Sequence, residues 1–165
     1  MRERGAWVWV QDALVSEGLA LVRPRRDNAA RVQDLLRAER SARAAPLGVS
    51  GDPAGRVRSV DDLILEAAVL PERCADGPYL VVRGVVDHLA VMDRAMYLNF
   101  GPAGDEARDP TLRIDPRDVG LWLALGLTPQ RYAGQSVEAR GKASARGGAL
   151  LCIEHPAAIP ILSDR

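Results

Sequence analysis

The sequence predicts an α+β fold in which a short N-terminal helical segment precedes a five-stranded Greek-key β-barrel. Three observations lead to this prediction. Apolar residues recur at helical spacing near the N-terminus, whereas beyond about residue 79 they alternate with polar residues, as in strands. The pair Asp115-Pro116, a typical helix start, interrupts the alternating part. The length of 165 residues suits one domain or two small ones.

Two helices are predicted in the N-terminal part. Apolar residues recur at helical spacing over Val10–Val22, and Gly18 is placed to end that helix. Asp27 or Asn28 can cap a second helix that runs to about Ala45. The polar face of the second helix is expected to be solvated. That face carries Arg31, Asp34, Arg37, Glu39, Arg40 and Arg43.

A segment rich in glycine and proline divides the chain. It contains Gly48, Gly51, Pro53 and Gly55. Such residues favour turns and loops over regular elements. We therefore expect residues 1–50 to form a helical segment, residues 51–58 a linker and residues 59–165 the barrel.

The C-terminal part is predicted as one helix, three strands, a second helix and two strands. Ser59 followed by Asp62 predicts a capping box that opens the first helix. Residues 79–92 alternate as one long strand, which Gly84 can bend. The glycine pair at residues 147–148 predicts a tight hairpin between the last two strands. A barrel of the oligonucleotide-binding (OB) type has this order, with its helix between strands three and four.

Two parts of the sequence resemble the thermonuclease (staphylococcal nuclease-like) family. Residues 11–20 read Gln-Asp-Ala-Leu-Val-Ser-Glu-Gly-Leu-Ala, and residues 39–48 close an acidic-basic-alanine helix at Leu-Gly. Together they resemble the C-terminal helical part of that nuclease domain. The second part resembles the barrel appended to some bacterial members of the family. It comprises residues 81–86, 97–101, 137–141 and 153–156.

The resemblance implies no catalytic residue in this chain. Family nucleases bind Ca²⁺ through aspartates on barrel strands and use a glutamate and two arginines, all N-terminal to the helices matched here. No residue of the sequence matches those carboxylates or that glutamate. A Ca²⁺-dependent nuclease is therefore expected only if the missing catalytic half is supplied upstream or by another chain, and Ca²⁺ is expected as a cofactor only then.

The residues themselves also predict no catalytic or metal centre. Phosphodiester hydrolysis needs an activated water and fixed positive charge, usually from a carboxylate-bound cation. The acidic cluster Asp105, Glu106 and Asp109 lacks the alternating spacing of a calcium loop, and we expect a solvated loop. Cys74 and Cys152 lack a close-spaced partner, which argues against a disulfide scaffold or zinc site and favours two buried thiols. No cofactor is expected.

A non-catalytic nucleic-acid-binding face is the leading functional prediction. In barrels of the OB type, the face of strands two and three contacts single strands through stacking aromatics and a basic groove. The candidate binding residues are Tyr97, Asn99 and Arg113, with a basic stripe formed by Arg140, Lys142 and Arg146. The alternative is that Tyr97 and Asn99 support the following loop and that the stripe only keeps the surface soluble.

Charge and hydropathy limit the expected partners. The 22 Lys and Arg residues balance 22 Asp and Glu residues, so the whole molecule does not attract nucleic acid or acidic membranes. The expected partner is single-stranded DNA or RNA. A protein partner or a second copy, bound at an orphan strand around Trp7 and Trp9, is the alternative. Without an apolar span or a signal peptide, the chain as written is expected in the cytoplasm, or exported if its true start lies upstream.

Overall fold

Four α-helices and two β-sheets make up the described part of the computed structural model, which therefore has a mixed α+β fold. The description covers residues 2–3, 6–45, 48–53, 55–101 and 109–162. The chain divides into two compact units, Met1–Arg56 and Val57–Arg165. We refer to them as unit 1 and unit 2. No helix in the described ranges is long and apolar enough to cross a membrane.

Unit 1 contains a small hairpin and two helices. The bounds are β1 Arg2–Glu3, β2 Ala6–Trp7, α1 Val10–Ser16 and α2 Val32–Ala44. β1 and β2 pair antiparallel. The chain leaves helical geometry after α1 with Gly18 at φ 69°, which confirms the predicted stop. The expectation of an orphan strand around Trp7 and Trp9 is wrong in two respects. Trp7 is paired with Arg2 of β1, and Trp9 lies outside the strand as the N-cap residue of α1.

The second helix begins later than predicted. Arg31 precedes it with a left-handed backbone (φ 52°) and makes no side-chain cap. Asp27 and Asn28 do not cap it, because they lie in a turn where Arg25 and Asn28 form an isolated bridge. The helix ends at Ala44, which confirms the predicted end at about Ala45.

The expectation of a fully solvated polar face on α2 is wrong at two positions. Glu39 is 1% exposed, and one of its carboxylate oxygens accepts a hydrogen bond from the backbone N–H of Val22. Arg43 Nη2 lies 3.4 Å from Glu39 Oε1, and its side chain is 12% exposed. The extended chain after α1 brings a buried N–H group against the helix, and that group needs an acceptor. Glu39 is therefore a structural residue of unit 1.

The segment rich in glycine and proline contains ordered elements. Gly48–Gly51 form a 3₁₀ turn, and Val49 N–H donates to Gly18 O at 2.7 Å. Gly48 has φ 55°, and a Cβ at this position would collide with Gly18 O, so only glycine fits. The placement of Val57 and Arg58 in the linker is wrong, because both belong to strand β3, which pairs in parallel with the next strand of unit 2.

Unit 2 is built on a seven-stranded sheet with the order β3-β4-β8-β9-β7-β6-β5. Its strands are β3 Val57–Ser59, β4 Tyr79–Val85, β5 His88–Met92, β6 Ala95–Asn99, β7 Thr111–Ile114, β8 Ser136–Ser144 and β9 Leu150–Ile153. The pairs β3·β4 and β7·β9 are parallel, and the others are antiparallel. The sheet exceeds the five predicted strands because β3 adds one and the long strand predicted over residues 79–92 is divided into β4 and β5.

The division falls at Val86 and Asp87 and not at Gly84, which remains paired within β4. Gly84 is needed for a different reason. A Cβ there would meet Val60 Cγ2 at 2.5 Å and the ring of Phe100 at 2.9 Å. The glycine therefore allows α3 and the end of β6 to pack closely against β4.

The two helices of unit 2 confirm their predicted starts. Helix α3, Val60–Glu66, begins with the reciprocal capping box of Ser59 and Asp62. Helix α4, Pro116–Ala124, begins with Asp115, whose side chain accepts a hydrogen bond from Arg117 N–H. The acidic residues Asp105 and Glu106, expected in a loop before β7, lie outside the described residues.

The core of unit 2 lies on one side of the central strands. Its fully buried side chains include Leu63, Leu98, Leu112, Ile114, Trp122, Leu151 and Ile153. Side chains alternate between the two faces of a strand. The residues between these apolar positions on β6, β7 and β9, namely Tyr97, Arg113 and Cys152, therefore lie on the opposite face of the sheet.

Candidate functional site

A groove runs over the face of β6, β7 and β9 that points away from the core. Its central depression, with a cavity volume of about 470 Å³, is lined by Tyr97, Arg113, Cys152 and the Glu72–Ala75 segment. A depression of about 130 Å³ adjoins it and shares Tyr97 and Arg146. Another of about 160 Å³ adjoins the other end and shares Arg113 and Cys152. We call these three neighbouring depressions, which share lining residues, the groove.

Tyr97 and Arg113 form the centre of the groove. They are cross-strand partners on β6 and β7, and Arg113 Nε donates to Tyr97 Oη at 3.4 Å. Arg113 Nη1 also donates to Asp115 Oδ2 at 3.1 Å. Burial would lower the pKa of Arg113, but its hydrogen bonds with Tyr97 and Asp115 raise it. The groove therefore holds a fixed guanidinium beside a half-buried aromatic ring.

Asp115 is the acidic partner in this arrangement. Burial would raise the pKa of its carboxyl group, but hydrogen bonds from the Arg117 backbone N–H and the Arg113 guanidinium lower it. The same side chain also caps α4. Asp115 thus fixes the orientation of Arg113 and the start of the helix together.

Asn99 is engaged in a structural contact. It is 7% exposed, and its Oδ1 accepts a hydrogen bond from Thr111 Oγ1 at 2.7 Å across β6 and β7. Thr111 Oγ1 also donates to Asp109 O at 3.2 Å. Although Asn99 lines the smallest depression, its carbonyl oxygen helps to hold the chain that enters β7.

The prediction that Arg140 belongs to an exposed basic stripe is wrong. Its side chain is fully buried, and its Nη2 donates to Oε1 of Glu138, also buried, at 2.7 Å. Strand β8 lies inside the sheet, and the 3₁₀ turns Cys74–Asp76 and Pro156–Ala158 lie against it. Alternation of polar and apolar residues could not predict this, because both faces of β8 are covered.

Lys142 and Arg146, the other two residues expected in the basic stripe, line the groove. Lys142 Nζ donates to Ala75 O, and the residue lines the depression beyond Arg113. Arg146 follows β8, is exposed and lines two of the depressions. Within the described part of the chain, Arg146 has no hydrogen-bond or ion-pair partner, so its guanidinium is available to a ligand.

The charges along the groove balance. The basic residues that line it are Arg73, Arg113, Arg117, Lys142 and Arg146, and the acidic residues are Glu72, Asp93, Asp115, Asp118 and Glu154. A ligand in the groove therefore meets both positive and negative side chains. A polyanion would be bound through a few specific contacts with single basic side chains.

A covalent link that was not predicted from the sequence lies at the groove. Cys74 and Cys152, expected as two buried thiols, form a disulfide with their Cα atoms 6.2 Å apart. Both residues are half-buried and line the groove. The prediction was wrong because the two cysteines are 78 residues apart in sequence, and only the fold brings them together.

The hairpin between β5 and β6 was also missed. Asp93 and Arg94 connect the strands with φ 51° and 63°, the combination of a type I′ turn. Such turns favour aspartate or asparagine followed by glycine. Asp93 fits this pattern, but Arg94 stands at the glycine position, so the sequence signal for the turn was weak. Asp93 lines the central depression, which places an uncommon backbone conformation at the edge of the groove.

A second cavity lies within unit 1. It has a volume of about 330 Å³ and its lining includes Trp9, Leu14, Val15 and Leu35. The Arg31 guanidinium carbon lies 4.6 Å from the ring centre of Trp9, a cation–π contact. The neighbouring Trp7 is 85% exposed, and Val10, Leu14 and Leu19 are also exposed.

The described residues contain no group of three or more His, Cys, Asp or Glu side chains that could hold a metal ion. No His, Cys, Asp or Glu cluster of that size therefore supports a metal-dependent reaction in the part of the chain that is described. The groove presents an aromatic ring and cationic side chains to a ligand.

Comparisons with known proteins give no family. No family model matches the chain, and no curated protein matches it. Among solved structures, the chain is similar to OBody AM1L10 bound to hen egg-white lysozyme, at 17% sequence identity. The match covers 58% of this chain and 95% of that chain with a TM-score of 0.37. A TM-score this low supports no conclusion, and the thermonuclease resemblance stays a prediction.

Proposed function

We propose that unit 2 is an OB-type barrel that binds a short stretch of single-stranded DNA or RNA in the groove, without catalysing a reaction. One observation carries this proposal. Four residues that the sequence suggests for binding line the three neighbouring depressions of the groove, namely Tyr97, Arg113, Lys142 and Arg146.

The strand order supports the OB-type part of the proposal. β4 and β5 are separated by only two residues and lie at the two ends of the order β4-β8-β9-β7-β6-β5. Helix α4 lies between β7 and β8, and β7 pairs in parallel with β9. A barrel whose first strand bends and serves both ends has this order, with its helix between strands three and four.

The groove chemistry suits a few nucleotides. A base can stack on the Tyr97 ring, which Arg113 orients, and Arg146 can contact the neighbouring phosphate. Because acidic residues balance the basic ones, we expect weak binding and a shallow salt dependence. Each phosphate contact on a single strand contributes a slope of about −0.7 in log affinity against log salt.

Fluorescence anisotropy with labelled hexathymidylate and hexauridylate tests the proposal. Tyr97→Ala should weaken binding by about 5- to 150-fold, since a stacked base contributes about 1–3 kcal/mol. Arg146→Gln should weaken binding and flatten the salt slope. Arg131→Gln, on a turn outside the groove, is the matched control and should bind like the unaltered chain. Absence of binding at low salt, or equal binding by all variants, would overturn the proposal.

A protein-interaction module is the second candidate, and the exposed Trp7 favours it. A tryptophan that is 85% exposed, beside exposed Val10, Leu14 and Leu19, presents apolar surface that a partner or second copy could cover. Light scattering over a range of concentrations tests self-association. A mass that rises with concentration and falls in Trp7→Ser supports this candidate, whereas a constant monomer mass argues against self-association.

We further propose that unit 1 is the C-terminal helical part of a thermonuclease-like domain. Only the sequence resemblance supports this proposal. The same resemblance makes a Ca²⁺-dependent nuclease the third candidate function. Its catalytic half would be supplied upstream or by another chain. Cleavage of labelled DNA that needs both Ca²⁺ and an added catalytic half would support it, and absence of cleavage under those conditions would overturn it.

A further inference from the structure

The disulfide fastens one wall of the groove. Residues 71–78, which we call the strap, are held at both ends by backbone hydrogen bonds from Ala145 N–H to Pro71 O (2.8 Å) and from Ala143 N–H to Pro78 O (2.9 Å). Between these ends, Cys74 is bonded to Cys152 on β9. Lys142 Nζ also donates to the strap at Ala75 O.

The strap supplies groove surface that depends on this bond. Glu72, Arg73 and Ala75 line the central depression together with both cysteines. A short 3₁₀ turn carries Cys74, and only two backbone bonds close it, Asp76 N–H to Arg73 O and Gly77 N–H to Cys74 O. Without the sulfur–sulfur bond, the centre of the strap would lose its one covalent anchor to β9. Within the described residues it would keep these local bonds, the hydrogen bond from Lys142, and the weaker contacts of Cys74 Sγ with Ser144 Oγ (3.5 Å) and Leu150 O (4.0 Å).

Both sulfur atoms belong to residues that a reductant can reach. Cys74 and Cys152 are half-buried and line two of the groove depressions. A disulfide buried in the core would be protected from thiols, whereas this one borders open space. Exchange with a thiol needs such access.

Cys152 also lies between two cations. Its register partners are Arg113 on β7 and Lys142 on β8. Directly opposite residues on neighbouring strands place their side chains on the same face, with Cβ atoms about 5 Å apart. Neighbouring Arg and Lys side chains stabilise a thiolate, so Cys152 is the better leaving group of the pair.

We propose that Cys74–Cys152 is a redox-active disulfide that a dithiol reductant opens, and that its redox state controls the shape of the groove. The reductant thiolate attacks Cys74 Sγ, the sulfur–sulfur bond breaks, and its electron pair leaves with Cys152 Sγ. The second reductant thiol then attacks the mixed disulfide and releases Cys74. The reductant becomes a disulfide, and the two cysteines gain two electrons and two protons in total. The control of ligand binding rests on the function proposed above, whereas the redox activity does not.

Thiol alkylation of the full chain tests the redox activity alone. The folded, oxidised protein is treated with dithiothreitol without denaturant, alkylated with iodoacetamide for increasing times and analysed by peptide mass spectrometry. Both cysteines should become reactive, with Cys152 reacting about tenfold faster than Cys74 because its thiolate is stabilised. A disulfide that is reduced only in denaturant, or a Cys152 that reacts no faster, overturns the proposal.

Two variants test whether the charge of Lys142 raises the alkylation rate of Cys152. Lys142→Gln should slow alkylation of Cys152 severalfold and leave Cys74 unchanged, while Arg131→Gln should alter neither rate. Circular dichroism confirms that each variant is folded. If Lys142→Gln leaves the Cys152 rate unchanged, the assigned role of the flanking charge is wrong.

Ligand binding and hydrogen exchange test the control of the groove. Reduction should weaken hexathymidylate binding by about tenfold, since one wall of a preorganised site is released, and reoxidation should restore it. The double variant Cys74→Ser and Cys152→Ser should bind hexathymidylate with the affinity of the reduced protein, and reductant should not change that affinity. Equal affinity in both states overturns the control of binding but leaves the proposed function intact.

If the oxidised chain binds no oligonucleotide, the proposed function fails. The effect of the disulfide on the strap is then measured by amide hydrogen exchange. The Asp76 and Gly77 amides should then exchange faster after reduction, because the turn loses its covalent anchor. Unchanged exchange overturns the proposed effect on the strap. The alkylation result stands independently in either case.

Discussion

Arg140 donates a hydrogen bond to Glu138, two residues earlier on the same strand, with 2.7 Å between Nη2 and Oε1 and both side chains at most 1% exposed. Arg83 Nη2 donates to the other carboxylate oxygen at 2.8 Å. Burial of a charge is costly unless it is paired and hydrogen-bonded. Glu138 therefore makes the buried Arg140 tolerable inside unit 2.

Removal of the carboxylate charge should destabilise unit 2 strongly. Glu138→Gln removes the buried carboxylate charge that pairs with Arg140 Nη2, and we expect a loss of about 3–5 kcal/mol in the free energy of unfolding. Arg83→Gln is the matched control. Its side chain is 54% exposed, so we expect a loss below about 1 kcal/mol. Urea unfolding followed by circular dichroism measures both, and equal losses would contradict this account.

Glu39 should protect the Val22 amide in unit 1. Glu39→Ala removes the acceptor of that N–H, and we expect a loss of about 1–3 kcal/mol in local stability. Glu39→Gln keeps an acceptor and should retain part of the protection. Asp34→Ala, which breaks exposed ion pairs on the same helix, should cost less than about 1 kcal/mol. Hydrogen exchange of the Val22 amide measures the local stability in each of the three variants. Fast exchange in Asp34→Ala, with slow exchange in Glu39→Ala, would contradict the role assigned to Glu39.

Stability should fall as the pH decreases below about 6.5 because of His155. Burial lowers the pKa of this side chain, and its Nδ1 accepts a hydrogen bond from Ala157 N–H at 3.1 Å, which only the neutral ring can do. The unfolded chain, with a histidine pKa of about 6.5, therefore binds the proton first. The stabilisation is complete above about pH 6.5 and is lost between that value and the lower folded pKa.

Urea unfolding at a series of pH values from about 8 to 5.5 measures this effect of His155. His155→Asn keeps an acceptor for the Ala157 amide but cannot titrate. We expect the variant to lose this part of the pH dependence while it keeps most of the stability at neutral pH. A slope that is identical in the variant would assign the pH dependence to another group.

The β5–β6 turn should be stabilised by glycine at position 94. Arg94 has φ 63°, a conformation that costs a side-chain-bearing residue about 1–2 kcal/mol. Arg94→Gly removes that cost but adds disorder to the unfolded chain, so we expect a net gain of up to about 1 kcal/mol. Arg94→Ala keeps the Cβ atom and should show no gain. Thermal unfolding distinguishes the two, and an equal rise in Tm for both would indicate that the charge matters and not the backbone.

Features with local causes could be predicted from the sequence. The capping box of Ser59 and Asp62 and the Asp115 cap of α4 depend on neighbours within three residues, and the sequence shows those neighbours directly. The alternation around Leu98 and Leu112 likewise identified which face of β6 and β7 carries Tyr97 and Arg113. This face of the sheet was predictable because side chains alternate along a strand, so the residues between core positions lie on the opposite face.

Features with distant causes could not be predicted. Glu39 and Arg140 look like surface residues in sequence, and each is buried by a segment whose position only the fold determines. The bond between Cys74 and Cys152 depends on the same kind of distant contact. A charged residue at a polar position of an amphipathic pattern therefore says little about exposure when both faces of its element are covered.

The parallel pairing of β7 with β9 also bears on how unit 2 folds. Helix α4 and strand β8 separate the two strands in sequence, so a long loop must close before their hydrogen bonds form. Domains dominated by such distant contacts fold slowly, in roughly milliseconds to seconds. The groove face of β6, β7 and β9 is completed only once β9 has docked, so a growing chain cannot form the groove before β9 has left the ribosome.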